Sequence, residues 1–137
     1  EIPIMAVSVA EAELQEIGDA AVGHYASWSY FQSIDTPENN RFVQNFRSQY
    51  GGDRVTSDPI EAAYSQVYLW KQAVEAAESF DTERVRVAAY GQSFAAPGGL
   101  IKIEPNHHVW KQCRIGKILT NGQFEIVYSS DRAIKPL

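Results

Sequence analysis

The sequence is short of cysteine, of long apolar runs and of clustered basic residues, and each shortage excludes something. Cys113 is the single cysteine in 137 residues, so no disulfide forms within the chain. That does not fix a compartment, because many exported proteins also lack disulfides. No apolar run approaches the ~20 residues that a membrane-spanning helix needs. Lysine and arginine number 12 against 17 aspartates and glutamates, a formal charge of −5, and they form no basic face; nucleic acid is not an expected partner. There is no initiator methionine and no basic-then-apolar leader: Glu1 runs straight into Ile-Pro-Ile-Met-Ala-Val. The start therefore reads as a cut inside a longer chain, with any export signal upstream. The glycine patterns of phosphate-binding loops and dinucleotide folds are missing, as is His-Glu-x-x-His. Gly91-Gln92-Ser93-Phe94 lacks the flanking glycines of a nucleophile elbow.

What is present is ordinary globular material, 45% hydrophobic and 21% charged, which argues against disorder. Ile2 to Val7 is apolar throughout, as expected of a strand covered on both faces. Ser8-Val9-Ala10-Glu11 fits a capping box, after which Ala10, Leu14 and Ile17 share a helical stripe and Gly18 stops it. His24 to Phe31 reads as a second strand, with Trp28 and Tyr30 on one side. Pro37 then opens a helix whose stripe is Phe42, Val43, Phe46 and Tyr50, closed by Gly51-Gly52. Asp58-Pro59-Ile60-Glu61 repeats the capping logic ahead of the longest helix, to about Ser79. Its apolar residues cover more than one stripe, so several packing neighbours are expected. A shorter helix runs from Asp81-Thr82 to Gly91. Ala96 to Gly99 reads as a turn, Leu100 to Glu104 as a strand and Pro105 to His108 as a loop. Arg114–Thr120 and Gln123–Ser129 flank Asn121-Gly122, a strong hairpin signal because both turn residues tolerate positive φ. The expected fold class is α/β: parallel βα units followed by an antiparallel hairpin.

Ligands of open α/β sheets bind beyond the carboxyl ends of the strands. Two stretches fit that position. At Ser8-Val9-Ala10, free helix N–H groups and a hydroxyl suit a carbonyl oxygen or an anion, although Ser8 as a plain helix cap explains the same pattern. From Ser27 to Ser33, rings alternate with hydroxyls, so rings can wall a small polar ligand while hydroxyls orient it; ordinary packing is the alternative. His107, His108 and Cys113 contain metal-ligand chemistry, but adjacent loop histidines seldom converge on one ion, so no metal and no cofactor are expected. Glu11/Glu13 and Glu75/Glu78 read as solvated helix faces. Nothing pairs a nucleophile with a base, so the chain is not expected to be an enzyme.

Pro3-Ile4, Ser8-Val9-Ala10-Glu11-Ala12-Glu13 and Tyr30-Phe31-Gln32-Ser33-Ile34-Asp35-Thr36-Pro37-Glu38-Asn39 resemble the urea-type substrate-binding proteins of ABC transporters. The likeness extends through Ser57 to Tyr64, Val67 to Val74, Ala96 to Gly99 and Arg114-Ile115-Gly116. Those proteins share the type I periplasmic binding-protein fold with short-chain amide sensors and branched-chain amino-acid binders. The resemblance implies a two-lobed molecule of which this chain is the C-terminal part. Residues 1–56 would complete one lobe, and 57–137 would supply a crossing helix, a second helix and a C-terminal β element of the other lobe and hinge. It implies Ser8 as a ligand contact, while Val9 departs from the hydroxyl usual there; Trp28 and Tyr30 lie near the cleft by analogy. Ser8, Val9, Trp28 and Tyr30 are thus the candidate ligand-binding residues. The implied activity is capture of urea or a short-chain amide by cleft closure, outside the cytoplasm, for delivery to a membrane permease. A cytosolic amide sensor and a branched-chain amino-acid binder are the alternatives. By itself, the chain is expected to self-associate through apolar helix surface.

Overall fold

Two parallel strands, each feeding a helix, begin the fold of this computed structural model, which describes residues 2–137. Glu1, the expected lead into the first strand, lies outside the described residues. Strand β1 (Met5–Ala6) is followed by α1 (Glu11–Ile17) and a single 3-10 turn. Strand β2 (Tyr25–Trp28) is followed by α2 (Pro37–Tyr50). Then come α3 (Asp58–Ala77), α4 (Thr82–Ala89), the hairpin β3 (Ser93–Ala96) and β4 (Gly99–Lys102), and the hairpin β5 (Arg114–Ile118) and β6 (Phe124–Ser129). The main sheet has the order β1-β2-β5-β6, with β1 and β2 parallel and the remaining pairs antiparallel. No described helix is long and apolar enough to cross a membrane.

Local signals explain the best-defined elements. Thr36 caps α2 by accepting the Asn39 N–H at 3.2 Å, Pro37 occupies the first turn, and Gly51 ends the helix at a φ of 122°. Asp81 caps α4 in the same way through the Arg84 N–H at 3.0 Å. These helices begin where a side-chain oxygen replaces a missing intrahelical acceptor.

Three expectations need correction. The first strand is only two residues long and is not covered on both faces: Ile2, Ile4, Met5 and Val7 are exposed. Strand β1 is the sheet edge, paired to β2 alone. Strand β3 was not anticipated at all; its register with β4 pairs Ala96 with Gly99 across a Pro97-Gly98 turn. The long helix buries one narrow stripe, Glu61, Ser65, Leu69, Ala73 and Ala77, leaving Val67 and Trp70 exposed. Strand β5 pairs with β2 and so returns the chain to the first sheet.

That return depends on a glycine. Phe31 and Phe124 pack with ring centroids 4.6 Å apart, tilted by 36°, in the core with Leu14, Ala26 and Ile118. A Cβ at Gly116 would lie 2.9 Å from Phe124 and from the Phe31 ring, closer than packed carbon atoms approach. Gly116→Ala is expected to cost about 1–3 kcal/mol by overpacking, read as a lowered unfolding midpoint; an unchanged midpoint would show that the ring pair moves aside freely.

Candidate functional site

The carboxyl ends of β1 and β2 lie side by side, so the segments leaving them share one edge of the sheet. Trp28 is the last residue of β2, and its indole Nε1 donates to the Val9 carbonyl at 2.8 Å. Both residues also pack against the core beneath. This bond joins the two segments into one rim, with Ser8 exposed beside it. Ser8, Val9 and Trp28 are therefore neighbours.

Tyr30 is not part of that surface. It is 0% exposed, its hydroxyl lies 2.8 Å from Asn39 Oδ1 and 2.7 Å from Thr56 Oγ1, and burial pushes its ionisation upward. The strand ends at Trp28, so the alternation expected to place Trp28 and Tyr30 on one wall does not extend that far. In this structure Tyr30 is a core residue that braces α2 against the segment entering α3.

Ser8 does not cap α1. The cap position is Ala10, whose N–H donates to Glu13 Oε2 at 2.9 Å. The expected Ser-x-x-Glu spacing has slid two residues along Ala10-Glu11-Ala12-Glu13. Glu11, read as solvated, is instead 0% exposed. Its Oε1 accepts the Gln32 N–H at 2.6 Å, and its Oε2 has no partner in the structure. Burial raises its pKa from 4.5 to about 7, with the charges of Asp58 and Glu13 adding to the effect and hydrogen bonds opposing it. A signal for this was present: Glu11 and Leu14 are three residues apart and share a helix face.

Gln32 is the second residue missed from sequence. Its side-chain oxygen accepts the Thr56 N–H at 2.7 Å, and its amide donates to Gln123 at 3.0 Å. Its carbonyl accepts from Asn39 Nδ2 at 2.9 Å. One side chain and its backbone thus tie α1, α2, the approach to α3 and the β5–β6 turn together. Asn39 shares a helix face with Phe42, which is what marks it as inward-facing.

The remaining candidates do not converge. Ser27 Oγ is 3.9 Å from Cys113 Sγ, while His107 and His108 are exposed and His107 faces Tyr90. Among the described residues no three His, Cys, Asp or Glu side chains are grouped to hold a metal. A cavity of about 740 Å³ lies between α3, α4 and β4. Leu69, Trp70, Val74, Phe80 and Ile103 are among its lining residues, and none of the four candidates touches it.

The family model described as a periplasmic binding protein domain matches residues 1–137, and the chain belongs to that family. It is 42% identical over 119 residues to limonene hydroxylase of Geobacillus stearothermophilus, covering 85% of this chain and 22% of that protein. It is 29% identical over 96 residues to Leu/Ile/Val-binding protein homolog 6 of Brucella abortus, covering 69% of this chain and 25% of that protein. Among solved structures, it is similar to a solute-binding protein of an ABC transporter from Rhodopseudomonas palustris in complex with p-hydroxybenzoic acid. That match has a TM-score of 0.82 and 22% identity, covering 97% of this chain and 38% of the other. A leucine-binding protein of Thermotoga maritima gives a TM-score of 0.77 at 21% identity, covering 92% and 36%. The chain therefore spans under two-fifths of the length of these relatives.

The Glu11 carboxyl makes stability depend on pH in a stated direction. Its folded pKa of about 7 exceeds the ordinary 4.5, so the folded chain holds the extra proton between those values. Stability from this group is intact below about pH 4.5 and is lost as pH rises through about 7, by roughly 3 kcal/mol at most. Glu11→Gln keeps an oxygen for Gln32 but cannot ionise. Its melting temperature relative to the parent should rise from pH 4.5 to pH 8; a constant difference would contradict the assignment.

Proposed function

We propose that this chain supplies one wall and the joint of a closing cleft in the solute-binding component of an ABC transporter. That component works in the periplasm or an equivalent space outside the cytoplasm, captures urea or a short-chain amide, and delivers it to a membrane permease. The observation that carries the reading is the Trp28–Val9 bond, which sets an indole and the exposed Ser8 on one rim at the strand ends. A hydroxyl there offers both a donor and an acceptor, matching a ligand that has both a carbonyl and N–H groups. The exposed Glu13 side chain in the first turn of α1 disfavours an anion at this end, and the Ala10 N–H is already taken. A neutral polar group suits the rim better. Closure around it shifts an open–closed equilibrium that the permease reads. A cytosolic amide sensor would use the same closure to regulate a partner.

An amino-acid ligand is the second reading. It is favoured by the same Glu13 side chain, which suits an α-ammonium group, and by the Leu/Ile/Val-binding and leucine-binding relatives. The relatives solved with benzoates extend the comparison to aromatic acids. The name limonene hydroxylase raises an enzymatic alternative, which we do not favour because no nucleophile–base pair is assembled at the rim; limonene turnover by the purified protein would reverse that choice.

Calorimetry on the full-length protein with urea, acetamide, leucine and 4-hydroxybenzoate separates the ligand readings. Heat with urea or acetamide is expected, weakened about 5- to 10-fold in Ser8→Ala, the size of one lost hydrogen bond. Heat with leucine or the benzoate alone would end the amide reading. The 137-residue chain by itself is expected to self-associate through the apolar lining of the large cavity. Light scattering should give a mass above one copy, and a monomer at high concentration would contradict this.

A further inference from the structure

The sheet part of the molecule (β1, β2, β5 and β6 with α1 and α2) is connected twice to the helical part (α3, α4 and the β3–β4 hairpin). The chain passes out through residues 55–58 and back through residues 103–113. Both passages meet at one polar node. In the outgoing passage, Asp58 Oδ1 accepts the Ser29 N–H at 3.1 Å. One turn further on, Glu61 Oε1 accepts from Ser65 Oγ at 2.9 Å and from the Gly98 N–H at 3.4 Å. In the returning passage, Lys111 Nζ lies 3.2 Å from Glu61 Oε2. Arg114, where β5 begins, donates to the Ser29 carbonyl and to Gln112 Oε1. Ser29 is thus held through its N–H by one passage and through its carbonyl by the base of the other.

The node is largely buried and its formal charges cancel: Asp58 and Glu61 against Lys111 and Arg114. The Glu61 side chain is 1% exposed and that of Lys111 22%, and the residual cavity among them is about 10 Å³, room for one water at most. Burial raises the Asp58 carboxyl while the Lys111 charge pulls it back, and burial lowers Arg114 while Glu61 and Asp58 pull it back. The parts also meet through apolar contacts, Phe42 against Tyr64 at 4.7 Å among them. Ring contacts of that kind tolerate sliding, whereas charge-assisted hydrogen bonds hold a direction. The forked Arg114 fixes Ser29, while the flexible stem of Lys111 can follow a rotation without releasing its partner.

We infer that Glu61 and Lys111 are positioning residues that pin the pivot of the joint, so that the two parts turn about this node rather than slide past one another. The inference rests on the closing-cleft reading and goes beyond it by assigning the pivot. It concerns the ligand-free protein, so a failure to find heat with urea leaves its test intact.

The test is a spectroscopic distance distribution in the full-length, ligand-free protein, between labelled unnatural residues at the exposed positions Gln44 on α2 and Thr82 on α4. Replacing one partner alone strands a buried charge, so the informative variant is the double E61Q/K111M, which removes both charges, beside K111R as the rescue. The double variant should melt near the parent temperature yet give a distribution about twofold wider or more, while K111R stays at the parent width. A double variant as narrow as the parent, or a K111R variant as wide as the double, would overturn the inference. A double variant that does not fold would overturn it as well, because a pivot pin is dispensable for folding.

Discussion

Three carboxyl groups at or near the starts of helices, Glu11 and Glu61 buried and Asp58 half-buried, hold the connecting segments of this protein in place. Glu11 opens α1 and takes the Gln32 N–H; Asp58 opens α3 and takes the Ser29 N–H; Glu61, three residues on, takes Gly98 and Lys111. Burying a carboxylate is costly. A helix N-terminus offsets part of that cost through its dipole, and donors with no other acceptor offset more. The result is that segments with little regular structure of their own are fixed by acids supplied from other elements.

The candidate rim depends on this arrangement. Trp28 can hold Val9 only while the segment that follows Trp28 keeps its course, and that course is set at Ser29 and Gln32 by Asp58 and Glu11. Gln32 then passes the constraint to Thr56 and Gln123, and Asn39 and Tyr30 close the loop beneath. Since Thr56 precedes α3 and Asp58 begins it, the rim and the joint between the two parts are mechanically continuous.

Much of the fold was legible from the sequence because its signals are local. Thr36-Pro37 and Gly51 bound α2, Asp81 starts α4, and Asn121-Gly122 turns β5 into β6. Where a residue has competing partners, sequence reasoning failed. Ser8 and Asp58 both look like caps; α1 is capped at Ala10 and α3 at Ser57, and neither of these makes a side-chain cap bond. Asp58 and Glu11 were claimed by distant N–H groups instead. Tyr30 continued a pattern of alternating rings, yet the strand had already ended and its hydroxyl found Asn39 and Thr56. Apolar Ile2 to Val7 carried no information on which faces would be covered, and only the strand order shows β1 at the edge. Of the four candidate residues, three are neighbours and one is core.

Residue-resolved hydrogen exchange on the full-length protein tests the clamping acids most directly. The amides of Ser29 and Gln32 lie outside regular structure, yet the account predicts that they exchange roughly a hundredfold or more slowly than open loop amides. Exchange of both at loop rates would contradict it.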